Sequence, residues 1–349
     1  MNNKTMDIIN AFSQDKEVTY ENILYVLKHI EQEEEEYLFV TAYHIRNKIY
    51  GKSVFVRGLI EFSNFCTSMC NYCGLRCESP IERYRLMPKI ITQQCIKAYD
   101  FGYRTFVLQS GEDPWYTKTI MMEMIQEIKD NCPEAALTLS IGERTMDEYA
   151  AFRAAGVDRY LLRHEAINST LYKSLHPNMR YDNRMRCLYT LKTLNYQTGA
   201  GIMVGVKGQT IAHIAEDLLF LYKFKPHMVG IGPFLPAQNT PYTTQPPGNV
   251  DLTLFVLALV RILVPHTLLP LTTALVSLNP NIREKGFRAG ANVIMPNITP
   301  ENQGAKYILY DNKRYVDGLS SFKMRQLSEE IEKIGFHMDM CRGDCRSSW

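Results

Sequence analysis

Three cysteines, Cys66, Cys70 and Cys73, fall within eight positions of a 349-residue chain. Soft thiolates at that spacing can wrap one corner of an iron–sulfur cube. Three ligands for four irons leave one iron open, the mark of a catalytic centre rather than a structural one. A zinc site or scattered core thiols is the competing reading, but no fourth ligand stands at finger-like spacing. Cys77 reads as a bystander, because Gly74-Leu75-Arg76 turns the chain away. Cys95, Cys132 and Cys187 read as packing or surface thiols. Nine cysteines is an odd number, and Asp7 and Gln14 interrupt the N-terminus before any export signal develops. Reduced thiols in a cytoplasmic protein are therefore expected.

The elements that must position this triad can be read from periodicity. Residues 1–50 read as a helical extension, with Glu31–Glu36 as a solvated helix face. From about residue 53, short apolar runs alternate with amphipathic stretches. The runs are Val54–Ser63, Thr105–Gln109, Ala136–Ser140, Tyr160–Arg163, Ala200–Val204, Met228–Phe234, Leu269–Thr273 and Asn292–Met295. Helical patterns such as Met121–Lys129, Met185–Leu194 and Ile211–Tyr222 lie between most of them. Gly102, Gly156, Gly199 and Gly290 read as helix C-caps. Eight strand–helix alternations predict an α/β protein, a (β/α)8 TIM barrel over 51–310. A tail over 311–349 follows, with irregular chain over Tyr307–Tyr315 and a helix over Met324–Ile334. The cysteines sit on the first loop at the C-terminal face, where barrel active sites form. Pro241–Pro247 reads as a loop over the mouth.

Charge and hydropathy exclude other classes. With 39 basic and 37 acidic side chains the net charge is +2, which leaves no positive field for nucleic acid or an anionic membrane. No run reaches the ~18 apolar residues of a membrane span; Leu252–Val264 is too short and carries Arg261.

Cys-x3-Cys-x-Tyr-Cys on the first loop of a barrel resembles the signature of the radical S-adenosylmethionine (SAM) superfamily. That resemblance implies a [4Fe-4S] cluster on Cys66, Cys70 and Cys73, with SAM chelating the open iron. An electron from a low-potential donor would cleave the sulfonium to methionine and a 5′-deoxyadenosyl radical. Tyr72 would lie near the adenine. Gln109-Ser110-Gly111-Glu112-Asp113-Pro114 resembles the family's Gly-Gly-Glu-Pro element for the methionine amino group, with Ser in place of its first Gly. Ser140 and Glu165 would add contacts to SAM, and Arg184 would pair with the methionine carboxylate.

A finer resemblance, over residues 40–310, is to the HydE maturases of iron-only hydrogenase. It rests on Gly74-Leu75-Arg76, Arg83-Tyr84-Arg85 and the segments 159–165, 198–205, 228–234 and 290–297. It implies work on an iron complex carrying carbon monoxide, cyanide and cysteine, with HydG-like and HydF-like maturases as supplier and acceptor. Arg57, Thr138, Arg159, Arg163, Thr272 and Thr273 read as inward positions suited to a small anionic ligand, since barrels normally fill with Val, Ile and Leu. Met228, Met295, Tyr307 and Tyr310 read as softer walls. A methylornithine-synthase-like enzyme should instead present acids to ammonium groups. A biotin-synthase-like enzyme should carry further cysteines on inner strands, absent here after Cys73. A non-catalytic iron–sulfur protein would bind a cluster without cleaving SAM. Some HydE maturases carry a second, two-iron cluster after the barrel. Here only Cys341 and Cys345 remain in the tail, so one cluster per chain is expected.

Overall fold

Runs rich in β-branched and aromatic residues pair side by side in parallel, and the amphipathic stretches between them pack outside, as buried parallel strands require. The computed structural model describes residues 3–314 and 317–347. Its strands are β1 (Ser53–Val56), β2 (Gly58–Ser63), β3 (Thr105–Ser110), β4 (Ala136–Ser140), β5 (Arg159–Leu161), β6 (Gln197–Val204), β7 (Met228–Pro233), β8 (Val293–Ile294) and β9 (His337–Asp339). Strands β2 to β7 form one sheet in sequence order, while β8, β1 and β9 form a second. Since β1 runs on into β2 across Arg57, only the gap between β7 and β8 remains. Residues 268–270 fill it with single bridges, Met228 to Leu268 and Pro270 to Val293. The parallel ring is thereby closed, and all eight expected strand positions are occupied.

The seventh position departs from its expected extent. Pro270 has no N–H to extend a ladder, and Thr273 already opens a helix, Thr273–Leu278. Gly199 is also no helix cap. It lies within β6, opposite Met228, whereas Gly102, Gly156 and Gly290 do follow helices with positive φ.

Phe106, Leu108, Leu137 and Leu139 join the apolar layer between ring and helices; alternate residues face inward, as the strand period dictates. Three helices, Asn3–Ser13, Tyr20–His29 and Gln32–Tyr50, precede the ring. Arg46 on the third is fully buried and donates to the carbonyls of Ala291 (3.2 Å) and Ser53 (2.7 Å), tying this helix to the base of the barrel. Within the acidic run Glu34 is buried rather than solvated, because its carboxylate accepts the Glu31 N–H at the helix start.

Beyond the helix Ser321–Lys333, β9 pairs in parallel with β1, Val54 opposite Met338. Residues 341–346 then cross beneath the ring. Thr105 Oγ1 donates to the Arg342 carbonyl (2.8 Å), and Arg159 Nη2 and Gln197 Nε2 both reach Asp344 Oδ1 (2.6 and 2.8 Å). Arg342 Nη2 holds Asp158 at 3.0 Å. Of the expected irregular segment 307–315, Tyr315 lies outside the described residues.

Candidate active site

The loop after β2 carries Cys66, Cys70 and Cys73 and is stitched at several points. Thr67 N–H donates to the Glu112 carbonyl (3.1 Å), Cys77 N–H to Ser68 (2.9 Å) and Asn71 N–H to Leu175 (2.9 Å). Cys66 Sγ accepts the N–H groups of Ser68 and Glu112, at 3.4 and 3.3 Å, the kind of donor that tunes a cluster's thiolates. Only glycine fits at 111: a Cβ there would meet the Phe65 carbonyl at 2.2 Å and Cys66 Cβ at 2.7 Å. Cys77 is exposed, whereas Cys95, Cys132 and Cys187 are buried.

The donor set fits the cluster. Burial pushes all three thiols up, aided for Cys70 and Cys73 by the neighbouring cysteines, and Cys73 reaches about 12. Such thiols become thiolates at neutral pH only beside strong positive charge, which iron supplies. Among the described residues no three His, Cys, Asp or Glu converge on one metal ion. Ligands of a cubane each take a different iron and need not converge.

Around this loop stand the residues assigned to SAM. Glu112 is held by Ser68 Oγ (3.2 Å) and by the Glu143 N–H (3.0 Å), and burial raises its carboxyl against the opposing pull of Arg184. Ser110 Oγ donates to the Gly111 carbonyl, and Gln109 lies opposite Ser140 in the β3–β4 register. Glu165, at φ +61°, faces Arg163 at 3.2 Å. Tyr72 meets the His176 ring edge-on at 5.4 Å and packs on a cluster containing Phe234 and Tyr242. Tyr242 brings in the Pro241–Pro247 loop, its N–H donating to the Asn71 carbonyl (3.1 Å). Arg184 is buried, but it already has a carboxylate partner: Nε lies 2.9 Å from Glu143 Oε1, while Nη1 donates to the Arg163 carbonyl (3.2 Å). A cavity of about 600 Å³ opens here, lined by Thr67, Ser68, Glu112, Glu143, Asn178 and Asn183 among others, within the size range of small-molecule clefts.

Sequence reasoning missed three members of this site. Glu143 follows β4 by three residues, and an acid just past a strand end on the C-terminal face was a readable signal. His176, with Nδ1 3.1 Å from Cys70 Sγ, comes from the end of the helix Ser169–Leu175 and gave none. Glu61 on β2 is buried and accepts from Asn297 Nδ2 (2.7 Å) and from Lys313; it was hidden inside an apolar run.

The residues read as substrate contacts divide by depth. Near the mouth, Arg163 lies at the end of the β5 segment, Tyr307 is fully buried beside Glu61, and Tyr310 lies near Arg163. Thr272 Oγ1 is buried without a partner, beside Gly232. Thr273 instead opens its helix and borders, with Met295, a small cavity of about 70 Å³ that also meets Arg283 and Leu327. Deeper in, Arg57 Nη1 rests on Met228 Sδ (3.2 Å), and Met228 packs with Phe55, Leu268 and Val293. Thr138 Oγ1 has no partner. Arg159 must be corrected. It begins β5, at the opposite end of the strand from the cysteine loop, and its guanidinium is engaged by Asp344 of the tail.

The sequence profile of the radical SAM superfamily matches residues 60–221. The [FeFe] hydrogenase maturase subunit HydE of Thermotoga maritima is 47% identical over 279 residues, covering 80% of each chain. The 3-methylornithine synthase of Methanosarcina acetivorans is 29% identical over 276 residues, 78% of this chain and 77% of its own. Among solved structures, methylornithine synthase superposes with a TM-score of 0.83 at 24% identity, over 95% of this chain and 97% of its own. The hydrogenase maturase HydG superposes with a TM-score of 0.83 at 19% identity, over 98% of this chain and 77% of its own. At those identities the structural matches bear on the fold alone. The cysteine loop on a closed parallel barrel and the extent of the HydE match together place the chain in the radical SAM superfamily, as an enzyme of the [FeFe]-hydrogenase maturase type.

Proposed function

We propose that this chain binds a [4Fe-4S] cluster through Cys66, Cys70 and Cys73, cleaves SAM reductively, and directs the chemistry at a small cysteine-bearing iron complex during assembly of the hydrogenase two-iron site. The bound cluster and SAM supply a carbon-centred oxidant; the chain's residues bind, orient and enclose. Glu112, Glu165, Ser140 and Tyr72 would hold and orient SAM. Arg184, held charged by Tyr172 and by the carboxylates of Glu143 and Glu112 against its burial, meets the methionine carboxylate by exchanging or sharing Glu143.

The observation that carries the substrate class is a set of buried polar atoms lacking protein partners. They are Arg57 Nε and Nη2, Thr138 Oγ1, Arg163 Nε and Thr272 Oγ1. Unsatisfied buried donors are costly, and an anionic ligand with cyanide or carboxylate acceptors satisfies those near the mouth, Arg163 Nε and Thr272 Oγ1. Thr138 instead lies opposite Arg159, and Arg57 beside it, toward the base. A lysine-isomerising reading is disfavoured by the same interior: the buried acid near the mouth, Glu61, is already neutralised by Lys313. HydG-like and HydF-like proteins, a low-potential electron donor and a cytoplasmic setting belong to this reading. Among the described residues no helix is long and apolar enough to cross a membrane.

The test is anaerobic turnover of reconstituted protein with SAM and an iron–cysteine complex. The reading expects 5′-deoxyadenosine, both free and bonded to the substrate sulfur. Cluster binding without any nucleoside product would favour a non-catalytic iron–sulfur protein. Product with lysine and none with the iron complex would favour the isomerase.

A further inference from the structure

Glu165 occupies a backbone conformation that a side chain bearing Cβ rarely adopts. Its φ is +61°, and the Ala166 N–H closes a three-residue turn on the His164 carbonyl at 2.8 Å. A γ-turn of this hand is rare and strained, and such strain persists only where the surroundings over-determine it. Behind the turn, on the side away from the mouth, stands Asp217 of the helix Ile211–Phe224, fully buried as is His164. Asp217 Oδ1 accepts the Ile167 N–H at 2.7 Å and lies 3.3 Å from His164 Nε2. His164 Nδ1 in turn accepts the Gly201 N–H at 3.4 Å. With Nδ1 as the acceptor, Nε2 is the ring nitrogen that faces the carboxylate.

One carboxylate thus grips the chain on both sides of Glu165. It lies 3.3 Å from the ring of the preceding residue, without hydrogen-bond geometry, and holds the second residue onward through its N–H. Phe220 closes the pocket over the imidazole, ring to ring at 4.8 Å. Residues 163 and 165 are left facing the mouth, where the Glu165 carboxylate meets Arg163 and the Arg163 carbonyl accepts from Arg184. We propose that Asp217 and His164 form a buried latch that holds the Glu165 turn in its strained conformation and so positions Glu165 for SAM, with Arg163 beside it. The proposal rests on Glu165 contacting SAM, as in the functional reading above. Asp217 and His164 are positioning residues, touching neither SAM nor substrate.

Five variants and two measurements test it. Hydrogen exchange of protein without cluster reports the turn directly. SAM affinity of the reconstituted enzyme reports its consequence. Asp217→Leu should raise exchange within residues 163–168 selectively and weaken SAM binding about tenfold, the scale of one lost buried hydrogen bond. Asp217→Asn keeps the Oδ1 acceptor and should stay within threefold of the parent. His164→Gln offers an N–H near the position of Nε2 and should retain SAM affinity better than His164→Leu. That pair decides the matter if Asp217→Leu does not fold. Parent-like SAM affinity and exchange in both Leu variants would overturn the latch, as would exchange raised equally across the barrel. Glu165→Gln separates the two claims. If it binds SAM as the parent does, the assignment of Glu165 fails, while selective exchange in the Leu variants still reports the latch.

Discussion

Burial is the first reason the Cys73 thiol resists ionisation, pushing it up to about 12. Serine in its place, or at Cys66 or Cys70, offers a hydroxyl that iron does not hold as it holds thiolate. Cys70→Ser should abolish 5′-deoxyadenosine formation, while exposed Cys77→Ser should keep it, both read by product analysis after reconstitution. Arg184 gives a second expectation. Its planar fork spans Glu143, Tyr172 and the Arg163 carbonyl, a geometry lysine cannot copy. Arg184→Lys should lose a charge-assisted contact of about 1.5–3 kcal/mol, and equilibrium SAM binding should weaken at least tenfold. At this scale the sequence was legible where chemistry is local, as in the cysteine spacing and the Gln109–Pro114 segment. Glu143 and His176 act through partners more than a hundred positions away for His176 and forty for Asn183, and no short motif encodes such pairings.

At the level of elements, the strands could be read because each pairs two buried faces with a run of apolar residues. The seventh could not be read fully, since Leu-Leu-Pro carries the apolar signal while Pro270 denies the hydrogen bond. β9 went unseen for the opposite reason: His-Met-Asp has no strand signal, and its pairing with β1 comes from tertiary context. Between β6 and β7, His227 offers a test of an element junction. The Thr198 N–H donates to His227 Nδ1 at 3.2 Å, and burial, then the nearby Lys192, push its pKa down to about 4. The unfolded chain binds a proton below about 6.5 that the folded one refuses until about 4. Folding stability should therefore rise with pH across that window and be lost as pH falls through it. Thermal melts at pH 5.0 and 7.5 should differ less in His227→Asn, which keeps an acceptor near Nδ1 and does not titrate; an unaltered difference would remove His227 as its source.

For the whole molecule, the count of clusters and the closure of the barrel base depend on the same tail. Cys345 Sγ contacts the His266 carbonyl at 3.0 Å while Cys341 is exposed, and two thiolates fall short of the four ligands a two-iron cluster takes. Iron after anaerobic reconstitution should approach about four per chain, and removing both tail cysteines should not lower it. Asp344, held well below the usual carboxylate range chiefly by Arg159, is the tail's anchor. Asp344→Asn leaves the Arg159 charge buried with weakened compensation, so hydrogen exchange over 337–346 should quicken while the cysteine loop stays protected.

The pairing of β9 with β1 also sets an order in time. Ser53 and His337 are neighbours, yet 284 positions separate them along the chain. At ~5–20 residues per second, a ribosome needs roughly 14–57 s to travel that distance. Late in that interval the cysteine loop and the barrel strands have all been made, while the underside of the ring has no cover and Arg159 has no Asp344. The nascent enzyme passes through a stage at which its cluster ligands are complete and its floor is open to solvent.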